Sequence, residues 1–194
     1  MAGQPTFAQL VSLACHDLRT PLATASGFTH TLERLDTLEP PADRYVEMIG
    51  TASAQMTELL DLLGAAARIE SGRFDPQARQ ADSRELADAA VHKLGDEAVV
   101  DGEGAAVGID PPWVETALAA LGECVRRHGA LERVTYAVDG PEISIGPVRE
   151  GVGQIALGED LKDFGAAVGV RLLRAMGAEV GVEGERLVVR LPRA

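Results

Sequence analysis

The sequence lacks the features that mark a membrane-spanning chain or a nucleic-acid-binding protein. No apolar run is long enough to cross a bilayer, and no basic-then-apolar leader opens the chain. Its 18 basic residues stand against 30 acidic ones, and the resulting formal net charge of −12 argues against a phosphate backbone as ligand. We therefore expect a cytoplasmic protein, not attached to a membrane, whose partners are other proteins.

Cysteine is also scarce, since Cys15 and Cys124 are the only two in the chain. Their spacing does not suit a metal site, and two cysteines do not make a disulfide framework in a cytoplasmic protein. We expect both to be small buried apolar residues, and we expect no metal site.

The composition is that of a globular protein, with 46% hydrophobic and 25% charged residues. At 194 residues the chain is long enough for two small domains. After the first third of the chain, the hydrophobic pattern changes from a seven-residue repeat to one of alternating helices and strands, which favours two domains. We place the first at residues 1–76 and the second at residues 77–194.

The first domain carries a hydrophobic pattern that repeats every seven residues on two successive segments. One helix is predicted from about Thr6 to Asp36, and a second begins near Asp43, after the break at Glu39-Pro40-Pro41. The apolar rows are Val11, Leu18, Ala25 and Leu32 with Ala14, Pro21, Phe28 and Leu35 on the first helix, and Tyr45, Ala52, Leu59 and Ala66 with Ile49, Met56 and Leu63 on the second. A single antiparallel hairpin cannot bury this stripe, so we expect a homodimeric four-helix bundle. The alternative is a hairpin packed only on its own C-terminal domain.

The first helix carries an imidazole, a carboxylate and a hydroxyl within two turns. They belong to the stretch His16-Asp17-Leu18-Arg19-Thr20-Pro21-Leu22. The seven-residue register places His16 at an f position facing water, with Thr20 one turn further on the same face. A neutral imidazole accepts a phosphoryl group, and the adjacent Asp17 carboxylate can take its proton or hold the useful tautomer. The Thr20 hydroxyl can orient water for hydrolysis. The alternative is a solvated surface histidine, which needs none of these neighbours.

This stretch resembles the H-box of the dimerisation and histidine-phosphotransfer domain of bacterial two-component histidine kinases. The family pattern is His, then Glu or Asp, two residues, Thr or Asn, and Pro. The resemblance implies that His16 is the phosphoacceptor, Asp17 the acid/base partner and Thr20 the residue that positions water for dephosphorylation of a response regulator. Because the first helix starts so near residue 1, we expect no attached sensor or membrane span, and input from a partner such as an upstream histidine kinase.

Helices and short strands alternate in the second domain. The predicted elements are a helix over 83–94, strands over 98–100 and 105–109, a helix over 110–128, strands over 134–138 and 142–148, a helix over 164–176, and strands over 180–183 and 186–191. Ser83 is the predicted N-cap of the first of these helices. Helices and antiparallel strands in this order predict a two-layer α/β sandwich, so the fold class of the whole chain is α+β.

This second domain resembles the ATP-binding domain of histidine kinases, but three of its motifs have lost key residues. The family's N-box helix carries an asparagine that holds Mg²⁺, and the corresponding position here is Cys124; the chain contains no asparagine at all. A buried thiol is a poor ligand for this hard cation. In the G1 box, Gly151 and Gly153 survive, but Arg149 replaces the aspartate that accepts a hydrogen bond from adenine. A guanidinium only donates hydrogen bonds.

The G2 box, which cradles phosphates on backbone N–H groups in the family, is also incomplete. It corresponds to Gly165, Ala167 and Gly169, so the middle glycine is lost. Only a short stretch between Gly153 and Gly165 remains for an ATP lid. We interpret Gly151-Val152-Gly153 as a plain turn, and we expect no bound nucleotide.

The sequence favours a histidine phosphotransferase in a two-component phosphorelay. It would relay phosphoryl groups between response-regulator receiver domains and His16, with Mg²⁺ supplied by the receiver and no cofactor of its own. One alternative is an active or atypical sensor histidine kinase. The other is a non-catalytic pseudokinase module that binds regulators or a true kinase.

Overall fold

A computed structural model describes residues 7–34 and 38–194, without the side chains at positions 9 and 10. The chain divides into two compact units, Met1–Arg73 and Phe74–Ala194. The division lies three residues before the boundary that the sequence places after residue 76.

The first unit is a hairpin of two long helices, as the sequence predicts. Helix α1 spans Phe7–Arg34, with Pro21 inside it, and helix α2 spans Ala42–Glu70. The first helix is predicted to begin at Thr6 and end at Asp36, and both residues lie outside the described part of the chain. Leu35, a member of its apolar row, lies outside it too. No helix among the described residues is long and apolar enough to cross a bilayer.

The helices of one hairpin do not bury the predicted apolar rows. Small side chains fill buried positions in the hairpin instead, among them Cys15, Thr29, Val46 and Ser53. The large row members that stay exposed are Leu18, Phe28, Leu32, Tyr45, Ile49, Met56 and Leu59, each with at least 41% of its surface exposed. Rows of exposed large apolar side chains on a helical hairpin are typical of a surface that packs against another protein.

The second unit contains seven strands and four helices. In chain order these are β1 (Arg79–Asp82), α3 (Ser83–Leu94), β2 (Ala98–Gly104), β3 (Ala106–Ile109), α4 (Pro111–His128), β4 (Val134–Gly140), β5 (Glu142–Gly146), α5 (Val152–Ala156), α6 (Phe164–Ala175), β6 (Glu179–Glu183) and β7 (Arg186–Arg190). Five strands form one sheet in the order β2-β4-β5-β7-β6, and β1 pairs with β3 in a separate small sheet. Helices α3, α4 and α6 pack beside one another over the large sheet. The predicted two-layer arrangement and α+β class are confirmed.

The strand directions differ in one place from the all-antiparallel expectation. Strand β2 pairs with β4 in parallel, with Ala98 opposite Val134, whereas the other neighbours in the large sheet are antiparallel. The reason is topological, because the chain returns from β2 to β4 through α4, and a crossover through a helix connects parallel strands. Strand β3 leaves the large sheet and pairs with β1, which the sequence did not reveal.

The start of α3 also differs from the prediction. Asp82, not Ser83, is the N-cap, and its Oδ1 accepts hydrogen bonds from the N–H groups of Arg84 (2.8 Å) and Glu85 (3.3 Å). Ser83 is the first helical residue, and its buried hydroxyl donates to the Gly140 carbonyl and accepts from the Ala105 N–H. The serine therefore ties the helix to the strand ends, and the neighbouring aspartate caps it.

Candidate functional site

The histidine predicted to be the phosphoacceptor lies on the exposed side of α1. The His16 side chain is 79% exposed, and its Nδ1 lies 3.1 Å from Oδ1 of Asp17, whose side chain is 68% exposed. When Nδ1 carries the proton and donates it to Asp17, the lone pair of Nε2 faces solvent. This geometry makes Nε2 an accessible nucleophile next to a proton acceptor.

Thr20 and an ion pair flank this histidine along the hairpin. Thr20 is exposed one turn after His16, so its hydroxyl is on the same helix face. The guanidinium of Arg19 donates to Oδ1 of Asp61 across the hairpin at 2.6 Å. The three predicted site residues are thus brought together on one accessible face, and the ion pair joins α1 to α2 beside them.

The position equated with the family's magnesium ligand is buried and uncharged. Cys124 on α4 has no solvent exposure. Burial, and then the nearby carboxylate of Asp163, raises the pKa of the Cys124 thiol to about 12. The group is therefore a neutral thiol near pH 7, and it offers no oxygen to a hard cation.

A protein carboxylate occupies the beginning of α6, where the resemblance puts the phosphate-binding loop. Asp163 is the N-cap: its Oδ1 accepts the N–H of Ala166 at 3.0 Å. Its Oδ2 accepts from Arg127 at 2.5 Å and lies 3.2 Å from Nε2 of His128. Burial alone would raise the pKa of Asp163, but the Ala166 N–H and the Arg127 guanidinium outweigh burial and lower it. A negative charge thus already sits at this helix start.

Helix packing accounts for Gly169, one of the two surviving glycines of the G2-like segment. A Cβ at Gly169 would lie 3.2 Å from the Ala117 carbonyl oxygen, so this glycine lets α6 approach α4 closely. The turn at Gly158 approaches Ala167 closely, since a Cβ added at Gly158 would lie 3.1 Å from the Ala167 Cα. The segment is the body of α6, and most of its N–H groups serve the helix itself.

The G1-like residues line an open cleft elsewhere in the second unit. The exposed Arg149, with Gly151 and Gly153, borders a cavity of about 900 Å³. Its lining includes no residue of α4 or α6, so within this fully described unit the cleft is separate from Cys124 and Asp163. Gly151 (φ 78°) starts the short helix α5, and a Cβ at Gly153 would lie 3.1 Å from the Val182 side chain. The interpretation of Gly151-Val152-Gly153 as a plain turn is therefore wrong, because Gly151 is the N-cap and Val152 and Gly153 are the first residues of a helix that the sequence did not predict.

The structure also brings together residues that the sequence did not connect. Cys124, His128 and Asp163 form one cluster whose sulfur, nitrogen and oxygen atoms all lie within 4.8 Å of one another. The four-residue spacing on α4 was a visible signal for the first two. Asp163 is 35 residues beyond His128 and joins them only through the packing of α6 on α4.

Comparison with known proteins agrees with this architecture. Residues 8–72 match the family described as the His Kinase A (phospho-acceptor) domain. The full-length structure of ShkA in complex with AMPPNP is 20% identical, with a TM-score of 0.67, and the match covers 97% of this chain and 46% of that one. The Acinetobacter baumannii histidine kinase AdeS is 16% identical, with a TM-score of 0.57, over 91% of this chain and 97% of that one. A comparison with curated proteins gave no significant match.

The hairpin around His16 is therefore a phospho-acceptor domain of the His Kinase A type. In this chain the domain precedes an α/β unit whose fold is like that of the ATPase domains of histidine kinases. The whole chain spans about half the length of the ShkA chain that it matches.

Proposed function

We propose that this protein is a histidine phosphotransferase, which relays phosphoryl groups between response-regulator receiver domains through His16 without ATP-dependent kinase activity of its own. The observation that carries the proposal is the Asp163 carboxylate at the start of α6. Its Oδ1 takes the Ala166 N–H at the helix start where a kinase of this fold would hold phosphates, so this backbone donor is already occupied.

The proposed reaction uses the exposed histidine and its neighbour. Nε2 of His16 attacks the phosphorus of a receiver's aspartyl phosphate, so an N–P bond forms as the acyl O–P bond breaks and the receiver's carboxylate is released. Positive charge develops on the ring, and Asp17, 3.1 Å from Nδ1, stabilises it or takes the Nδ1 proton. Transfer to a second receiver reverses these steps. The receiver supplies the Mg²⁺ and the acidic pocket.

Three further features support the absence of a kinase step. The neutral thiol of Cys124 replaces the oxygen ligand that Mg²⁺ would need. Ala167 stands where the family's middle glycine would be, and the turn at Gly158 approaches its backbone closely. The exposed guanidinium of Arg149 cannot accept a hydrogen bond from an adenine amino group. These residues do not fit a Mg²⁺–ATP complex.

The proposed working form is a homodimer. A His Kinase A domain implies dimerisation and two-component partners in general. Here the exposed rows around Leu18 and Leu59 provide the apolar surface that a second hairpin would cover. Such a dimer presents two copies of His16, each on the outside of the bundle.

The test is to offer the full chain each phosphoryl donor separately. Purified protein is incubated with labelled Mg-ATP, or with a receiver domain phosphorylated by acetyl phosphate, and label on the protein is followed with time. We expect label only from the receiver, and none in His16→Ala. Label reaching His16 from ATP alone would establish the kinase alternative. No uptake from any of a panel of receivers would favour the non-catalytic interaction module.

A further inference from the structure

One cluster in the second unit has no part in the chemistry of His16. Cys124 and His128 lie one turn apart on α4, Asp163 begins α6, and their donor atoms lie within 4.8 Å of one another. We propose that these three side chains bind one Zn²⁺ ion, with the fourth coordination position left to water or an exogenous ligand.

The donor set selects the metal. Sulfur, imidazole nitrogen and carboxylate oxygen together suit borderline-soft Zn²⁺, whereas Mg²⁺ and Ca²⁺ require oxygen ligands. In a tetrahedral zinc site, neighbouring donor atoms are about 3.3–3.8 Å apart, as follows from the usual Zn–S, Zn–N and Zn–O bond lengths. Nε2 of His128 and Oδ2 of Asp163 are already 3.2 Å apart. The Cys124 sulfur, within 4.8 Å of the other donors, needs to approach them by no more than about 1.5 Å.

The surroundings of the cluster suit a bound ion. Cys124 is fully buried and the Asp163 side chain is 5% exposed, so water competes little for two of the three ligands. The His128 side chain is 22% exposed, which leaves a path to solvent on that side. With the thiol proton released on binding, Zn²⁺ balances one thiolate and one carboxylate, so the occupied site carries no net charge.

Arg127 competes with a metal ion for the carboxylate of Asp163. Its guanidinium donates to Oδ2 of Asp163 at 2.5 Å, and it holds the carboxylate while no metal is bound. Its side chain is 57% exposed, so it can turn into solvent when a metal takes the oxygen. Replacing it therefore removes a cation that metal binding must displace. We expect Arg127→Gln to bind zinc more tightly than the unmodified chain, by about tenfold.

The experiment uses Co²⁺ as a spectroscopic substitute for zinc in the full chain after treatment with a chelator. We expect one Co²⁺ per chain, with a near-ultraviolet charge-transfer band from the cysteine sulfur and visible bands of tetrahedral intensity. One equivalent of Zn²⁺ should displace the cobalt, and a large excess of Mg²⁺ should not. A titration without the sulfur band would overturn the proposal.

Matched variants assign the ligands. Cys124→Ala should abolish the band, and Cys15→Ala, which removes the chain's other buried thiol, should leave it unchanged. His128→Gln and Asp163→Asn should each weaken zinc binding by about 100-fold or more, and Asn can still cap α6. Far-ultraviolet circular dichroism checks that each variant is folded. If Cys124→Ala does not fold, the two conservative variants decide the question, because unchanged affinity in both would exclude this site.

A second readout is independent of spectroscopy. An ion that binds the folded unit but not the unfolded chain raises the melting temperature with its concentration. Zn²⁺ should raise the melting temperature of the unmodified chain and of Arg127→Gln, but not that of His128→Gln. An equal rise in His128→Gln would point to adventitious binding and contradict the proposal. Phosphoryl uptake by His16 is measured separately, so neither result depends on the other.

Discussion

Nδ1 of His16 and Oδ1 of Asp17 lie 3.1 Å apart on the exposed face of α1. The two residues are adjacent in sequence, so the contact needs no help from the rest of the fold. Because both side chains are more than two-thirds exposed, the pair contributes little to stability. Its effect is to favour one tautomer, which leaves Nε2 as the nucleophile.

Asp17→Asn tests this pairing directly. The amide keeps the shape of the side chain but loses the negative charge that stabilises the imidazole ring or accepts its Nδ1 proton. Transfer from a phosphorylated receiver to His16 should slow by about 10²- to 10⁴-fold. The rate is measured by rapid quenching with a labelled receiver. Asp43→Asn, another exposed aspartate at the start of α2, is the matched control and should leave the rate unchanged. Equal rates for the two variants would remove Asp17 from the mechanism.

Thr20→Ala separates transfer from hydrolysis. The hydroxyl lies one turn from His16, and its proposed task is to orient the water that attacks receiver phosphate. The variant should keep its transfer rate but lose dephosphorylation activity, and Thr20→Ser should restore it. Both rates are followed with the same phosphorylated receiver. Thr24→Ala is the control, because that hydroxyl is engaged with the Thr20 carbonyl at 3.0 Å. Loss of transfer in Thr20→Ala would show a different role.

The exposed apolar rows give a prediction on assembly. Leu18→Glu places a charge in the row that a partner hairpin would cover, and an unpaired buried charge costs several kcal/mol. The variant should be monomeric by light scattering at concentrations where the unmodified chain is a dimer. Ala23→Glu introduces the same charge at an exposed f position of the same helix and should remain dimeric. A monomeric unmodified chain would contradict the prediction outright.

The hairpin was predictable because its signal is local and repetitive. The seven-residue rows fix two helices, and the exposure of Leu18 and Leu59 in one hairpin follows from the same pattern. The placement of His16 at an f position required nothing more than the register. The short motif around it is likewise contained within two turns of one helix.

The second unit was less predictable where distant segments decide the outcome. The parallel pairing of β2 with β4 depends on the crossover through α4, and the small β1–β3 sheet joins segments with α3 and β2 between them. Asp82 displaced Ser83 as the cap because two capping residues stood side by side and tertiary contacts engaged the serine. The cluster of Cys124, His128 and Asp163 requires α6 to pack on α4, which no local pattern reveals.

Packing of α4 on the sheet gives the last prediction, at Gly122. A Cβ there would overlap the hydroxyl of Tyr136 and lie 2.8 Å from its Cζ and 3.0 Å from Cδ1 of Leu94. Tyr136 is fully buried and donates to the Leu118 carbonyl at 2.8 Å, so its ring cannot easily move aside. Alanine in a helix gains about 1 kcal/mol over glycine. Overpacking costs about 1–3 kcal/mol, and a displaced hydrogen bond about 1 kcal/mol more.

Gly122→Ala should therefore lower the free energy of unfolding of the second unit by about 1–3 kcal/mol. Tyr136→Phe alone should cost about 1 kcal/mol, because it removes only the hydroxyl. In the double variant the added methyl no longer meets that oxygen, so the combined loss should be smaller than the sum of the two. Urea unfolding followed by the fluorescence of Trp113, the only tryptophan and a residue of this unit, measures all three. The prediction is contradicted if the losses in free energy of unfolding are additive, or if Gly122→Ala is stabilising. Either result would show that the Tyr136 ring moves aside without an energetic penalty.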